Sequence, residues 1–292
     1  MAFDHRGSYQ SGLYGIEGEP TAEQHRRLVE GKKIIFEGFQ RALGGGVPRA
    51  AAGVLVDEEL GAGVARAARD EGVILAMPVE RSGRDEFEPQ YGDAFPRHIV
   101  KFEPDYAKVL VRYNPDGDAA LNSRQARRLR TLGDWLRDHQ RRFMFELLVP
   151  PTHAELEAAG GVDAYDHSQR PALVVRSIAE LQAAGVEPDV WKIEGLDTAE
   201  DCARVAAQAC RDGRDAVRCI VLGRGADEAR VDGWLRVAAA VDGFIGFAIG
   251  RTLWWDPLKA MLAGERDRAA TVDDIAARYR RAVDTYLGAD PG

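Results

Sequence analysis

Short apolar runs of strand length alternate with helix-patterned stretches from one end of this chain to the other. The runs fall at 1–7, 53–58, 73–78, 106–113, 142–149, 189–195, 219–222 and 244–249. Helical spacing covers 22–43, 60–69, 123–141, 170–184, 198–211, 227–241 and the tail to 287. Strands that are apolar throughout are buried on both faces, as parallel strands are when helices cover both sides of the sheet. Eight strand–helix units in 292 residues predict an α/β fold, a (β/α)8 TIM barrel forming a single domain over 1–292. A doubly wound sheet is the alternative. The connection at 81–99 is long, polar and interrupted by Gly and Pro, which reads as a lid. A second long loop is expected at 151–169. Ser123 is the expected cap of the helix at 123–141, and Gly31 and Gly38 weaken the first helix pattern.

The run at 189–195 carries Lys192 where a buried strand normally holds Val or Leu. An unpaired charge in an apolar site costs several kcal/mol, so such a lysine tends to lose its proton. A neutral amine is a nucleophile that condenses with a carbonyl to a Schiff base. Of the 39 basic residues only six are lysines, the rest arginines, so each lysine is worth explaining. The competing reading is that Lys192 reaches the strand end or pairs with Asp189 or Glu194.

In a barrel of this kind the active site lies at the C-terminal strand ends. Here those ends carry Asp4 and Arg6, Asp57, Glu80, Lys108 and Arg112, Glu146, Lys192 and Glu194, Arg224 and Arg251. The two-residue strand period assigns faces. Phe143, Phe145 and Leu147 suit the helix layer, which turns Glu146 inward. Trp191 and Ile193 do the same for Lys192, and Val109 and Val111 for Lys108 and Arg112. A barrel interior is usually Val, Ile and Leu, so an inward Lys108, Glu146 and Lys192 points to chemistry. The alternative is a structural salt-bridge network. In the catalytic reading Lys108 depresses the pKa of Lys192, and Glu146 shuttles protons for carbinolamine dehydration and carbon–carbon cleavage. Asp4 and Glu194 are further proton carriers.

Two glycine–arginine turns, Gly223-Arg224-Gly225 and Gly250-Arg251, close the last two strands. Barrels often hold a phosphate there, on backbone N–H groups, a helix N-terminus and a cation. The helix starting near Asp227 is the expected source of free N–H groups.

Taken together, Phe3-Asp4-His5-Arg6-Gly7, Leu55-Val56-Asp57-Glu58, Glu80-Arg81-Ser82-Gly83, Lys108 to Asp116, Phe145-Glu146-Leu147, Val190-Trp191-Lys192-Ile193-Glu194, Gly223-Arg224-Gly225 and Gly250-Arg251-Thr252-Leu253-Trp254 make a pattern over nearly the whole chain. It resembles the class I aldolases of the tagatose 1,6-bisphosphate aldolase type. It is more similar still to the aldolase-like domain fused to the 5-dehydro-2-deoxygluconokinase of bacterial inositol catabolism. The resemblance implies that Lys192 forms the Schiff base, that Glu146 is the acid/base and that Gly250-Arg251 belongs to the phosphate site. It implies 2-deoxy-5-keto-gluconate 6-phosphate as substrate, cleaved to dihydroxyacetone phosphate and malonate semialdehyde. Tagatose 1,6-bisphosphate or a sulfo-sugar phosphate is the runner-up. The chain departs from the tagatose type at His5, where Gln is usual, and at Arg224.

The expected catalytic set is therefore Lys192, Glu146, Lys108 and Asp4. The expected binding set is Arg6, Asp57, Glu80, Arg112, Gly223, Arg224, Gly225, Gly250 and Arg251. No metal and no cofactor beyond the covalent imine are expected; the six histidines show no ligand spacing. The net charge of -8 argues against nucleic acid, although local arginines still allow an anionic small substrate. The expected partner is a phosphorylated sugar, and a homo-oligomer is allowed. Cys202, Cys210 and Cys219 read as buried thiols. Lacking a signal peptide or an apolar run near 18 residues, the chain is expected in the cytoplasm and off the membrane. A catalytically silent sugar-phosphate-binding barrel and a metal-assisted epimerase are the readings from other classes.

Overall fold

A computed structural model describes residues 1–288; residues 289–292, the end of the expected domain, lie outside the described part. Seven parallel strands form one sheet in chain order: β1 (Gly53–Leu55), β2 (Ile74–Pro78), β3 (Tyr106–Arg112), β4 (Arg142–Leu148), β5 (Val190–Glu194), β6 (Arg218–Leu222) and β7 (Phe244–Ala248). The helices are α1 (Ala22–Gly44), α2 (Glu58–Asp70), α3 (Phe95–Phe102), α4 (Ala119–Asp138), α5 (His153–Ala159), α6 (Val162–Ser168), α7 (Arg170–Ala183), α8 (Ala199–Ala209), α9 (Glu228–Ala239), α10 (Arg251–Leu262) and α11 (Arg268–Leu287). Among the described residues no helix is long and apolar enough to cross a membrane.

The sheet has seven strands where eight were expected. The run at 1–7 forms only a one-residue parallel bridge, Ala2 to Leu55. Three polar residues follow Phe3, and a π-helical turn begins at Ser8, so no strand can extend. The segment still lies between the two edges of the sheet. Phe3 N donates to Leu55 O and Ala2 N donates to Ile249 O, each at 2.8 Å. The result is a curled, TIM-like sheet whose ladder is not closed by a regular strand.

Two interior layers follow from the two-residue period. Ala2, Leu55, Ala76, Tyr106, Met144, Val190, Ile220 and Ala248 form an apolar cluster of their own, one residue from the N-terminal segment and one from each strand. This cluster is the floor of the site. Two residues further on come Asp4, Lys108, Glu146 and Lys192, all buried. The alternate residues, such as Phe145, Trp191 and Ile193, belong to the main core between sheet and helices. Burying each such large side chain contributes about 1.5–3 kcal/mol, which holds the opposite, charged face inward.

Local signals set several ends differently from expectation. α4 starts earlier than Ser123, because Asp118 accepts from the N–H groups of Ala120 and Leu121. Residues 151–169 are not an open loop: a Thr152–Glu155 capping box starts α5, and α6 follows. The segment 81–99, expected as a lid, is ordered by a bridge between Glu80 and Pro89 and holds the start of α3. Gly31 does not break α1; a Cβ there would lie 2.0 Å from the Tyr14 hydroxyl, so glycine is needed for packing.

Candidate active site

Eight cationic side chains and three carboxylates line a cavity of about 340 Å³ at the C-terminal strand ends. The chain as a whole is acidic, at -8, so this positive balance is local.

Lys108 lies at its centre. Its ammonium meets Asp4 Oδ2 at 2.8 Å, Glu80 Oε1 at 2.9 Å and Glu146 Oε2 at 2.9 Å. Burial opposes its charge, but the three carboxylates outweigh it and raise its pKa well above the ordinary lysine value. Two of these contacts, to Asp4 and Glu80, are hydrogen bonds, and with the third carboxylate beside them Lys108 stays a cation. Lys192 is different. It is 2% exposed, and among the described residues its one polar partner is Glu146 Oε2, at 3.0 Å. The competing partners are engaged elsewhere: Asp189 accepts from Phe143 N at 2.6 Å, and Glu194 from Val149 N at 3.0 Å. Lys108 and Lys192 meet the same oxygen of Glu146.

The carboxylates divide in the same way. Burial pushes Asp4 upward, but Lys108, Lys192 and His5 outweigh it and hold Asp4 far below the usual range. Burial likewise works against the Glu146 carboxylate, and Lys108 and Lys192 bring it below the ordinary value. Glu80 shifts the other way, raised by burial in spite of Lys108 and Arg6. Its Oε1 takes Arg6 at 3.4 Å as well as Lys108, while its Oε2 is buried without a partner.

The glycine–arginine turns are not equivalent. Arg251 lines the cavity, donates to Arg224 O at 3.1 Å and has no carboxylate partner among the described residues. Gly250 precedes α10 without a side-chain cap, so the first N–H groups of that helix remain available. A Cβ on Gly250 would lie 2.5 Å from Ala2 O, and Gly225, at φ +76°, abuts the Arg251 guanidinium. Arg224 also lines the cavity but is tied to Glu194 at 3.0 Å and to Asp166 on α6. These two pairs tie α6 to the β5 end. The expected helix near Asp227 is capped by that aspartate, which accepts from Arg230 N at 2.9 Å. The open helix end belongs to α10 instead.

Arg6, Glu80, Arg112, Gly225 and Gly250 also line the cavity; Gly223 and Asp57 do not. Asp57 was expected there on a strand reaching residue 58, but β1 stops at Leu55. Asp57 therefore turns outward, caps α2 through Leu60 N at 2.7 Å and pairs with Lys32 at 2.9 Å, both side chains fully buried. Lys32 is the residue that sequence reasoning passed over. Its ammonium donates to the carbonyls of Phe3 and His5, on either side of Asp4. A signal was present: Lys32 lies four residues from both Leu28 and Phe36 on the apolar stripe of α1.

Residues 1–289 match a family described as uncharacterized protein conserved in bacteria, DUF2090. No curated protein matches the chain. Among solved structures, Cgl0159 from Corynebacterium glutamicum aligns with a TM-score of 0.57 at 20% identity, over 97% of this chain and 84% of that one. An archaeal fructose 1,6-bisphosphate aldolase aligns at 0.56 and 15%, over 99% and 92%. A Schiff base forming fructose-1,6-bisphosphate aldolase aligns at 0.53 and 15%, over 94% and 91%. At such identities the likeness establishes the fold.

Proposed function

Since the chain belongs to the DUF2090 family, whose description names no activity, we propose from its own site that it is a class I aldolase, an aldehyde-lyase working through an imine on Lys192. The observation that carries the reading is the contrast between two buried lysines on neighbouring parts of one cavity. Lys108 is ringed by three carboxylates, whereas Lys192 has one, Glu146, at 3.0 Å. That separation permits proton transfer once the ammonium and the carboxylate align. Moving one proton from the Lys192 ammonium to Glu146 yields a neutral amine and a carboxylic acid with no outside base.

The amine adds to the substrate ketone to give a carbinolamine. Glu146 returns its proton to the departing hydroxyl, which leaves as water, and the iminium remains. Glu146 then takes the proton of the hydroxyl two carbons away. The bond between the two intervening carbons breaks, its electron pair enters the iminium as an enamine, and the aldehyde departs. Protonation of the enamine and hydrolysis release the second product. The iminium is the electron sink, so the scheme uses no metal and no organic cofactor. Lys108 keeps Glu146 placed and favours its charged form, while the nearby Asp4 carboxylate favours its protonated form.

The substrate we favour is a phosphorylated keto sugar or keto acid, with its phosphate at Arg251, Gly225, Gly250 and the open end of α10. The sequence resemblance supports 2-deoxy-5-keto-gluconate 6-phosphate, giving dihydroxyacetone phosphate and malonate semialdehyde. Tagatose 1,6-bisphosphate and a sulfo-sugar phosphate are the runners-up. A cytoplasmic location belongs to the same proposal. Borohydride added with dihydroxyacetone phosphate should leave a covalent adduct on the peptide containing Lys192, read by mass spectrometry, and Lys192→Ala should abolish both adduct and turnover. An adduct on Lys108, or none with any triose phosphate, would sink the assignment.

A further inference from the structure

Among the described residues, Glu103, Gln140, Asp212 and Arg224 have a left-handed backbone without being glycine. The first three are exposed and lie just past the ends of α3, α4 and α8, where helices commonly stop in this conformation. Arg224 instead follows a strand, β6, and lines the cavity at φ +53°. A bulky residue in this region is strained and persists only where its surroundings over-determine it.

The surroundings of Arg224 do so. Its guanidinium meets Asp166 Oδ2 at 2.5 Å and Glu194 Oε1 at 3.0 Å, and both carboxylates are only 4% exposed. Each is also held from its other side. Arg170, fully buried, donates to Asp166 Oδ1 at 2.9 Å and to Gly195 O at 2.8 Å. Glu194 Oε2 accepts from Val149 N at 3.0 Å, and the hydroxyl of Tyr165, beside Asp166, donates to Val149 O at 2.9 Å. Burial works against the Asp166 carboxylate, but Arg224 and Arg170 outweigh it and bring its pKa below the ordinary value. The pair therefore stays charged at neutral pH.

With its side chain turned toward α6, Arg224 offers its carbonyl to the Arg251 guanidinium, which donates at 3.1 Å. Gly225 lies against the same guanidinium, close enough that a Cβ there would come within 2.5 Å of Arg251 Nη2. Arg251 is otherwise exposed. A long side chain loses rotamer freedom when it is ordered. A guanidinium that is already placed therefore binds an anion at a smaller entropic cost. The 223–225 turn supplies that placement.

We propose that Arg224 is a positioning residue. Its side chain, locked to Asp166 and Glu194, fixes the left-handed turn that holds Arg251 ready for the substrate's anion. This rests on the aldolase reading for the identity of that anion, the phosphate at Arg251. Through Arg224, α6 acts on the site without lining it, since neither Asp166 nor Glu194 borders the cavity.

Glycerol phosphate tests this without catalysis, because it has a phosphate and no carbonyl. Phosphorus NMR titration would measure its affinity for wild type, Arg224→Gly, Asp166→Ala and Arg251→Ala, and for the first two variants each combined with Arg251→Ala. Glycine accepts the left-handed turn without strain but removes the anchor. Arg224→Gly should therefore weaken binding roughly 2–10-fold, the range of one hydrogen bond. Asp166→Ala is the sharper arm. Removing a negative charge by itself tightens the binding of an anion, whereas loss of the Arg251 placement weakens it, again by roughly 2–10-fold. Once Arg251 is alanine, neither substitution should weaken binding by more than about twofold, a dependence that a merely structural role would not produce. Where Asp166→Ala does not fold, Asp166→Asn removes the same charge and reads the same sign. The proposal is overturned if either folded variant binds as tightly as wild type, or if the losses persist without Arg251. Unchanged affinity in Arg251→Ala would remove the phosphate placement and this proposal with it, while a borohydride adduct on Lys192 would still uphold the imine.

Discussion

This molecule holds two buried lysine–carboxylate pairs on different sides of the sheet, one closed and one open to the cavity. Lys32 and Asp57 are both fully buried, at 2.9 Å. Lys32 also holds the Phe3 and His5 carbonyls and lies 4.5 Å from the Tyr9 ring centroid. Asp57 is occupied by the α2 N-terminus. Nothing in that pair faces a cavity, so its work is structural: it fastens the N-terminal segment to α1 and sets the position of Asp4. Lys192 and Glu146 lie at nearly the same separation, 3.0 Å, but Lys192 has no second partner among the described residues and both side chains line the cavity. The same two functional groups thus give an anchor in one place and, in the proposed mechanism, a proton-exchanging dyad in the other. What else each group meets, and whether it faces the cavity, makes the difference; pairing alone does not.

The largest break in this comparison should come from Glu146→Gln. The amide keeps the shape but cannot carry the proton, so turnover should fall by roughly 10²–10⁴-fold, measured as steady-state kcat. The fold should persist, because Lys108 keeps Asp4 and Glu80. Turnover at the wild-type rate would hand the proton to Asp4 or Glu80 and undo the dyad.

Lys32→Met should show the opposite profile. Removing one partner of a closed buried pair leaves Asp57 as an uncompensated charge, at a cost of roughly 3–5 kcal/mol. Urea unfolding should report that loss, together with reduced turnover as Asp4 shifts. Unchanged stability would mean that the pair anchors nothing.

A smaller effect concerns His5, which lies between the two regions. Burial pushes its imidazole down to about 4 from 6.5, with Lys32, Arg251 and Lys192 adding to the shift and Asp4 opposing it. Between those pH values the unfolded chain binds a proton that the folded one refuses. Stability is thus present above pH 6.5 and falls as the pH drops toward 4. His5→Gln has no such proton, so its Tm should decline less than that of wild type over this window. Parallel curves for the two proteins would show that His5 protonates equally in both states.

Much of the site was legible because strands impose a period of two. Large apolar residues at 143, 145, 191 and 193 could only suit the helix layer, which sent Glu146 and Lys192 inward. Asp57 was misplaced because alternation says nothing about where a strand stops; β1 ends two residues earlier, and a helix-capping role takes the carboxylate. Arg224 looked like Arg251 in sequence, since both follow a glycine at a strand end. Which one is free depends on Asp166 and Glu194, and Asp166 comes from a helix that was read as loop. Lys32 went unremarked because its partners, the carbonyls at 3 and 5, are unconnected to it by any sequence interval.

What the sequence alone determined is the alternation of strands and helices, the parallel sheet and the inward face of each strand, since these depend on residue spacing along one element. Only the tertiary structure decided which charges are quenched and which are free. That depends on pairs such as Lys32 with Asp57, Arg224 with Asp166 and Lys108 with Asp4, brought together from distant elements. It also decided that the N-terminal segment bridges the sheet edges with a single bridge in place of a strand. A side chain's chemistry is set by who occupies its hydrogen-bonding positions, and long-range packing assigns those occupants.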